Sequence, residues 1–184
     1  MEADEQCHSP LVDVYSVAAA SNGQVSAQDP RLEPLIRGAE AAVLAWCGWH
    51  VTPVITQTLT LDGEGSASLH LPSGHVVDVS EVKVDGRPLN RGCWDFSEAG
   101  MLRTRRGRFP DRFRCVEVTL THGFKEAPAL AAVVTRSVLA ACASPMGATS
   151  ESAGQVSIRW GRSGMTLSEE DKADLAPYRL QSWA

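Results

Sequence analysis

The sequence predicts an α+β fold: two long helices that pack together, an antiparallel β-rich insertion between them, and a short strand and helix at the C-terminus. Two observations predict it. Apolar residues recur at spacings of three and four over Asp29–Trp49, switch to a period of two between Val54 and Phe124, and return to the helical period over Glu126–Pro145. The middle region is also divided by Asp-Gly and Gly-containing turns, as a meander of short strands requires.

Each element has its own justification. In "SPLVDVYSVAAA", Ser9 can cap a short helix with Pro10 in its first turn, and "SNGQVSAQ" then reads as loop. Asp29 is a good N-cap for the first long helix, and Pro30 suits its first position. Leu32, Leu35, Ile36, Ala39, Val43 and Trp46 share one face, and Gly48 supplies a stop. Pro34 lies early enough to be tolerated, and Gly38 weakens the middle. In the β region, "VITQTLTL" and "SASLHL" flank "DGEG" as a hairpin would. "VVDVSEVKV" ends at the turn Asp85-Gly86, and "CWDF" and "MLRT" flank "SEAG". "CVEVTLTHGF" is a last strong strand. Pro128 starts the second long helix, whose stripe is Leu130, Val134, Val138 and Ala141 and which Pro145 and Gly147 end. "GQVSIRWG" follows as a strand, and "SEEDKADLAPYRL" as a final helix with acids in its first turn. The expected division is an arm over 1–28, a helical core over 29–53 and 125–184 with a C-terminal docking segment, and a β-rich insertion over 54–124.

Composition narrows the function. Hydrophobic residues are 43% and charged residues 21% of 184, as in globular domains. No apolar run approaches the roughly 20 residues of a membrane span, and "MEADEQCHSP" lacks the features of a signal peptide, so the chain is expected to begin in a cytoplasm. The five cysteines are scattered and form no C-x-x-C, which argues against a disulfide framework and a zinc site. Cys47 and Cys142 read as small buried hydrophobes. His70 and His75 have no third ligand nearby. There is no G-x-S-x-G elbow, no phosphate loop ending in GK[ST] and no H-E-x-x-H. Asp62, Glu64 and His70 read as solvated surface. The expectation is no catalytic residue, no metal and no cofactor.

Two stretches stand out. "RTRRGRFPDRFR" carries Arg103, Arg105, Arg106, Arg108, Arg112 and Arg114 in a chain whose net charge is -5; outside it, 11 basic residues face 21 acidic ones. Three meanings are open: a solvated loop, a contact with an acidic protein surface, or a β-rich nucleic-acid-binding module. No known binding module surrounds the stretch. The second is the chain end, where Leu175, Tyr178, Leu180 and Trp183 are unusually apolar. Of the other tryptophans, Trp46 is expected in the core, Trp49 as a cap on the helix end, Trp94 in the β region and Trp160 on the late strand.

"DPRLEPLIRGAEAAVLAWCGWHV", then "TLTLDGEG", "HLPSGHVVDVSEVKVDG", "VTLTHGFKEAP" and a late "YRL", resemble the head-to-tail connector (adaptor) proteins of long-tailed bacteriophages, most of all the actinobacterial-phage type with a β-insertion. The resemblance spans Asp29–Leu180. It implies a structural virion protein of the neck, made in the host cytoplasm and assembled as a ring, commonly of twelve copies, beneath the portal. Such a ring extends the DNA channel, lets genomic DNA pass without specific binding and offers a surface to the stopper or tail-completion protein. By the same resemblance, Leu175, Tyr178, Arg179, Leu180 and Trp183 would dock on the portal or a neighbouring subunit. The six arginines would meet a neighbour, the portal or the stopper.

Overall fold

The structure, a computed structural model, describes residues 10–143, 150–153, 156–159 and 166–180, the side chains of 150–159 excepted. Helices and antiparallel sheets combine in an α+β fold. The chain forms two compact units, a helical one (1–46 with 128–177) and a β one (47–127 with 178–184), and passes between them three times.

The β unit contains β1 (Ile55–Glu64), β2 (Ser68–His70), β3 (Val76–Val84), β4 (Arg87–Pro88), β5 (Trp94–Ser97), β6 (Met101–Thr104) and β7 (Asp111–His122). They make a four-stranded sheet in the order β1-β7-β3-β4 and a three-stranded sheet in the order β2-β6-β5. The last strand of this unit, β7, takes an interior place because its pattern suits one. Val116, Val118 and Leu120 are fully buried and alternate with Thr119 and Thr121. On the other face the Thr119 and Thr121 hydroxyls meet those of Thr58 and Thr56 on β1, at 2.9 and 2.7 Å. One apolar cluster draws on both sheets, with Val79 and Val82 from β3, Leu69 from β2, Trp94 from β5 and Leu102 from β6.

Two of the three expected hairpins form. Trp94–Ser97 pairs with Met101–Thr104 across "SEAG". Val84 faces Arg87 across Asp85-Gly86, whose φ values of 52° and 73° suit the tight turn that joins twisted strands. The third does not form: "DGEG" does not fold β1 back on β2. β1 pairs with β7, from Ile55–His122 to Glu64–Asp111, and β2 pairs with β6. A ten-residue strand gains far more ladder from the twelve residues of β7 than from the three of β2.

The helical unit contains α1 (Val14–Ala20), α2 (Leu32–Cys47, whose last residue begins the β unit), α3 (Pro128–Ala143) and α4 (Glu169–Leu175), with a ribbon of β8 (Ser150–Ala153) and β9 (Val156–Arg159). α1 starts later than expected. Its cap is Asp13, whose carboxylate accepts the Ser16 N–H at 2.7 Å, and Ser9 lies outside the described residues. Before α2, Asp29 Oδ1 accepts the Arg31 N–H at 2.9 Å, so Asp29 shapes the entry as a cap would. Leu32, Ile36, Ala39 and Val43 are buried, whereas Trp46, expected in the core, is only half-buried and Trp49, beyond the helix end, is buried. Glu40 is a buried residue the periodicity gave no reason to notice. Its Oε1 accepts the Leu11 N–H at 2.5 Å, tying the N-terminal segment to α2.

On α3, Leu130, Val134, Val138 and Ala141 are buried as expected, joined by Val133 and Ser137. Its main backbone neighbours are α4 and α1; the expected packing of the two long helices against each other is not among the main contacts. Arg136 of α3 holds α4 through Asp171 at 3.0 Å and Asp174 at 2.6 Å. Asp171 is buried and also closes the capping box of α4, accepting from Ser168 N and Oγ at 2.9 and 2.7 Å. The helix stop at Pro145 and Gly147, and Trp160 and Trp183, lie outside the described residues. Val43 and Val134 have no exposed surface. Val43→Asp and Val134→Asp are therefore each expected to lose about 3 kcal/mol or more, because a buried carboxylate without a partner is costly. Thermal unfolding of the two variants checks this.

Candidate functional site

The arginine stretch is not one loop. Arg103 lies on β6, Arg105, Arg106 and Arg108 lie in the connection to β7, and Arg112 and Arg114 belong to β7 itself. Phe109 N–H donates to Ser66 O at 2.8 Å and its ring is buried, so the middle of the stretch is fastened to the β unit. Arg105 pairs with Asp95 at 2.5 Å, and Arg112 pairs with Asp85. Among the described residues, Arg103, Arg106, Arg108 and Arg114 make no such pair. Phe113 stands between Arg112 and Arg114 with 85% of its surface exposed, more than Tyr15 (75%) or Val77 (50%).

A bulge causes that exposure. Opposite β1, Leu61 pairs with Val116 and Gly63 with Arg112, so three residues of β7 face the single residue Asp62. Arg114 adopts φ 52°, and its N–H donates to Asp62 Oδ1 at 2.7 Å. Asp85 N–H donates to Cys115 O at 2.8 Å from the other side. Gly63 is required here: a Cβ would lie 2.0 Å from Pro110 O and 2.8 Å from Cys115 Sγ. The one trace of the bulge in the hydrophobic pattern is an interruption of alternation in "DRFRCV".

The C-terminal segment is tied to residues far away in sequence. Leu175 is fully buried, which leaves it no surface for a partner. Tyr178 and Leu180 are half-buried in the β unit. The Trp49 indole Nε1–H donates to Tyr178 O at 2.7 Å, and Leu180 N–H donates to Cys47 O at 2.8 Å. The Tyr178 ring meets Phe124 edge-on at 5.3 Å, and Phe124 stacks on His75 at 4.3 Å. Tyr178 and Leu180 are therefore held by residues remote in sequence, whereas Ala176 and Pro177 stay exposed. Arg179 is exposed, and Trp183 is outside the described residues.

The same cluster holds a histidine that sequence reasoning passed over. His122 is buried beside Trp49 and His50, with ring centroids 6.1 and 5.7 Å away. The Gln57 amide nitrogen can only donate and lies 2.8 Å from His122 Nε2, so that nitrogen accepts and Nδ1 carries the proton, without a partner. Burial pushes His122 down to about 4, and the ring of His50 adds to the effect. Burial likewise pushes the Cys47 thiol up to about 11, which suits a packing residue rather than a nucleophile. Among the described residues, no group of three or more His, Cys, Asp or Glu side chains is placed to hold a metal ion. No helix there is long and apolar enough to cross a membrane.

No family model and no curated protein sequence matches the chain. Solved structures do. A chain from the neck of a native gene transfer agent (GTA) particle, computed with twelvefold cyclic symmetry, is 16% identical, with 91% of this chain and 90% of that one covered at a TM-score of 0.54. A chain from the neck of an empty GTA particle, computed with sixfold cyclic symmetry, is 15% identical, with coverage of 95% and 92% and a TM-score of 0.57. A third, from the virion of the native particle, is 16% identical at 0.54 and covers 91% and 90%. At such identities the likeness establishes a shared fold, and that fold extends over about nine-tenths of each chain.

Two outcomes follow from the geometry. Because the folded state keeps His122 neutral, its contribution to stability is complete above about pH 6.5. It falls as pH drops toward 4 and then levels off. The wild type is expected to lose on the order of 3 kcal/mol over that window relative to His122→Gln, measured by denaturant unfolding across pH. Gly63→Ala forces β1 away from Pro110 and is expected to cost ~2 kcal/mol or more, which the same measurement reads.

Proposed function

We propose that this chain is a structural neck protein of a phage-like particle: a ring-forming adaptor that joins the portal to the stopper or tail and extends the DNA channel. The observation that carries the proposal is the fold shared, along nearly the whole chain, with neck chains of gene transfer agent particles. The cyclic symmetry of those necks supports a ring, with twelve copies as the natural number. The lowered His122, the raised Cys47 and the ion pairs of Arg105 and Arg112 are all accounted for by folding, which favours a structural role over catalysis. In this view the protein is a virion component without cofactor. The exposed arginines and Arg179, with the segment that follows it, face the portal, the stopper or a neighbouring copy.

Particles from a producing strain, labelled with gold-conjugated antibody against the chain, are expected to carry label at one point, where head meets tail. Deleting the gene is expected to leave filled heads and tails unjoined. Label spread over the capsid faces or the tail shaft, or normal joined particles without the gene, would overturn the proposal.

A further inference from the structure

The tip of the β unit around Phe113 is built to be seen. Phe113 lies on a bulge whose backbone is held from three sides, by Asp62 on β1, by Asp85 on the β3–β4 turn and by the Gly63–Pro110 contact. Arg114 keeps a left-handed φ that non-glycine residues rarely adopt, and such conformations persist only where the surroundings fix them. A bulge that served the core alone would turn the phenylalanine inward; the neighbouring Phe109 is buried, whereas Phe113 is 85% exposed. An exposed aromatic flanked by arginines is the composition of a binding hot spot.

We infer that Phe113, with Arg106, Arg108 and Arg114 of the same stretch, docks on an acidic face of a second copy of this chain. The inference rests on the ring proposed above and names the surface that builds it. Charge selects the partner. Outside the stretch, 11 basic residues face 21 acidic ones, so the remainder of a neighbouring copy attracts the tip. Two tips face to face would set Arg106, Arg108 and Arg114 of both copies together. The contact is therefore head-to-tail, the kind that closes into a ring. A nucleic acid fits less well. With Phe109 buried, only one aromatic is left for stacking.

The test places the photo-crosslinker p-benzoyl-phenylalanine at position 113 of the full chain, irradiated with and without duplex DNA. The expected product is a covalent dimer whose linked peptide lies outside 103–114 and contains acidic residues, with its yield falling as salt rises. In parallel, Phe113→Ser and Arg114→Glu are expected to weaken self-association roughly tenfold or more, read by mass photometry, with the melting temperature of the monomer unchanged. A link to DNA, or a link to 103–114 of the second copy, overturns the assignment. Wild-type oligomers that both variants leave intact overturn the tip alone and spare the ring. A wild type that stays monomeric and unlinked at the highest attainable concentration overturns both.

Discussion

The Trp49 indole holds the β unit at the places where the chain enters and leaves it. Trp49 sits just after the first passage from the helical unit. Phe124, its ring neighbour at 6.1 Å, sits just before the second. Tyr178, whose carbonyl receives the indole N–H, sits just after the third. A large aromatic with one polar atom suits this duty, since its faces bury apolar area while its N–H fixes a direction. Gly74 lets the ring in: a Cβ there would lie 3.1 Å from it. His122 and His75 complete the wall, and the desolvation of His122 follows from that packing.

Around β7 the same economy appears at the other end of the strand. From Val116 to His122 the strand is regular, buried on one face and laced by threonines on the other. Between Arg112 and Cys115 the ladder opens, and three residues face one. Pairing on both sides, in unbroken register to β1 and with two register shifts to β3, is what makes the irregular part tolerable, because strain at one residue is set against a long ladder. The outcome is a rigid central strand whose N-terminal end presents side chains rather than burying them.

Much of the fold was legible because it follows local periodicity. The stripes of α2 and α3, the Asp85-Gly86 turn and the acidic start of α4 are statements about neighbours in sequence. What periodicity could not give were pairings between distant segments. "DGEG" had the residues of a hairpin turn, yet β1 found a longer partner some 50 residues away, and local turn chemistry lost to ladder length. The chain end looked unsatisfied because Trp49 and Phe124, which satisfy it, are far off in sequence. The arginines were visible as a composition, but which were neutralised, and that Phe113 alone stood clear, depended on Asp95, Asp85 and a bulge. Glu40 and His122 were hidden for the same reason, being polar residues whose partners come from elsewhere in the chain.

The three passages between the units also bear on how the molecule breaks. Two domains strung on one linker part when that linker is cut. Here a nick beside Trp46, at Ala127 or at Pro177 leaves the units joined by two covalent threads. A protease that finds one passage makes a nicked molecule rather than two halves. Complementary fragments cut at these points are natural candidates for reassembly by mixing.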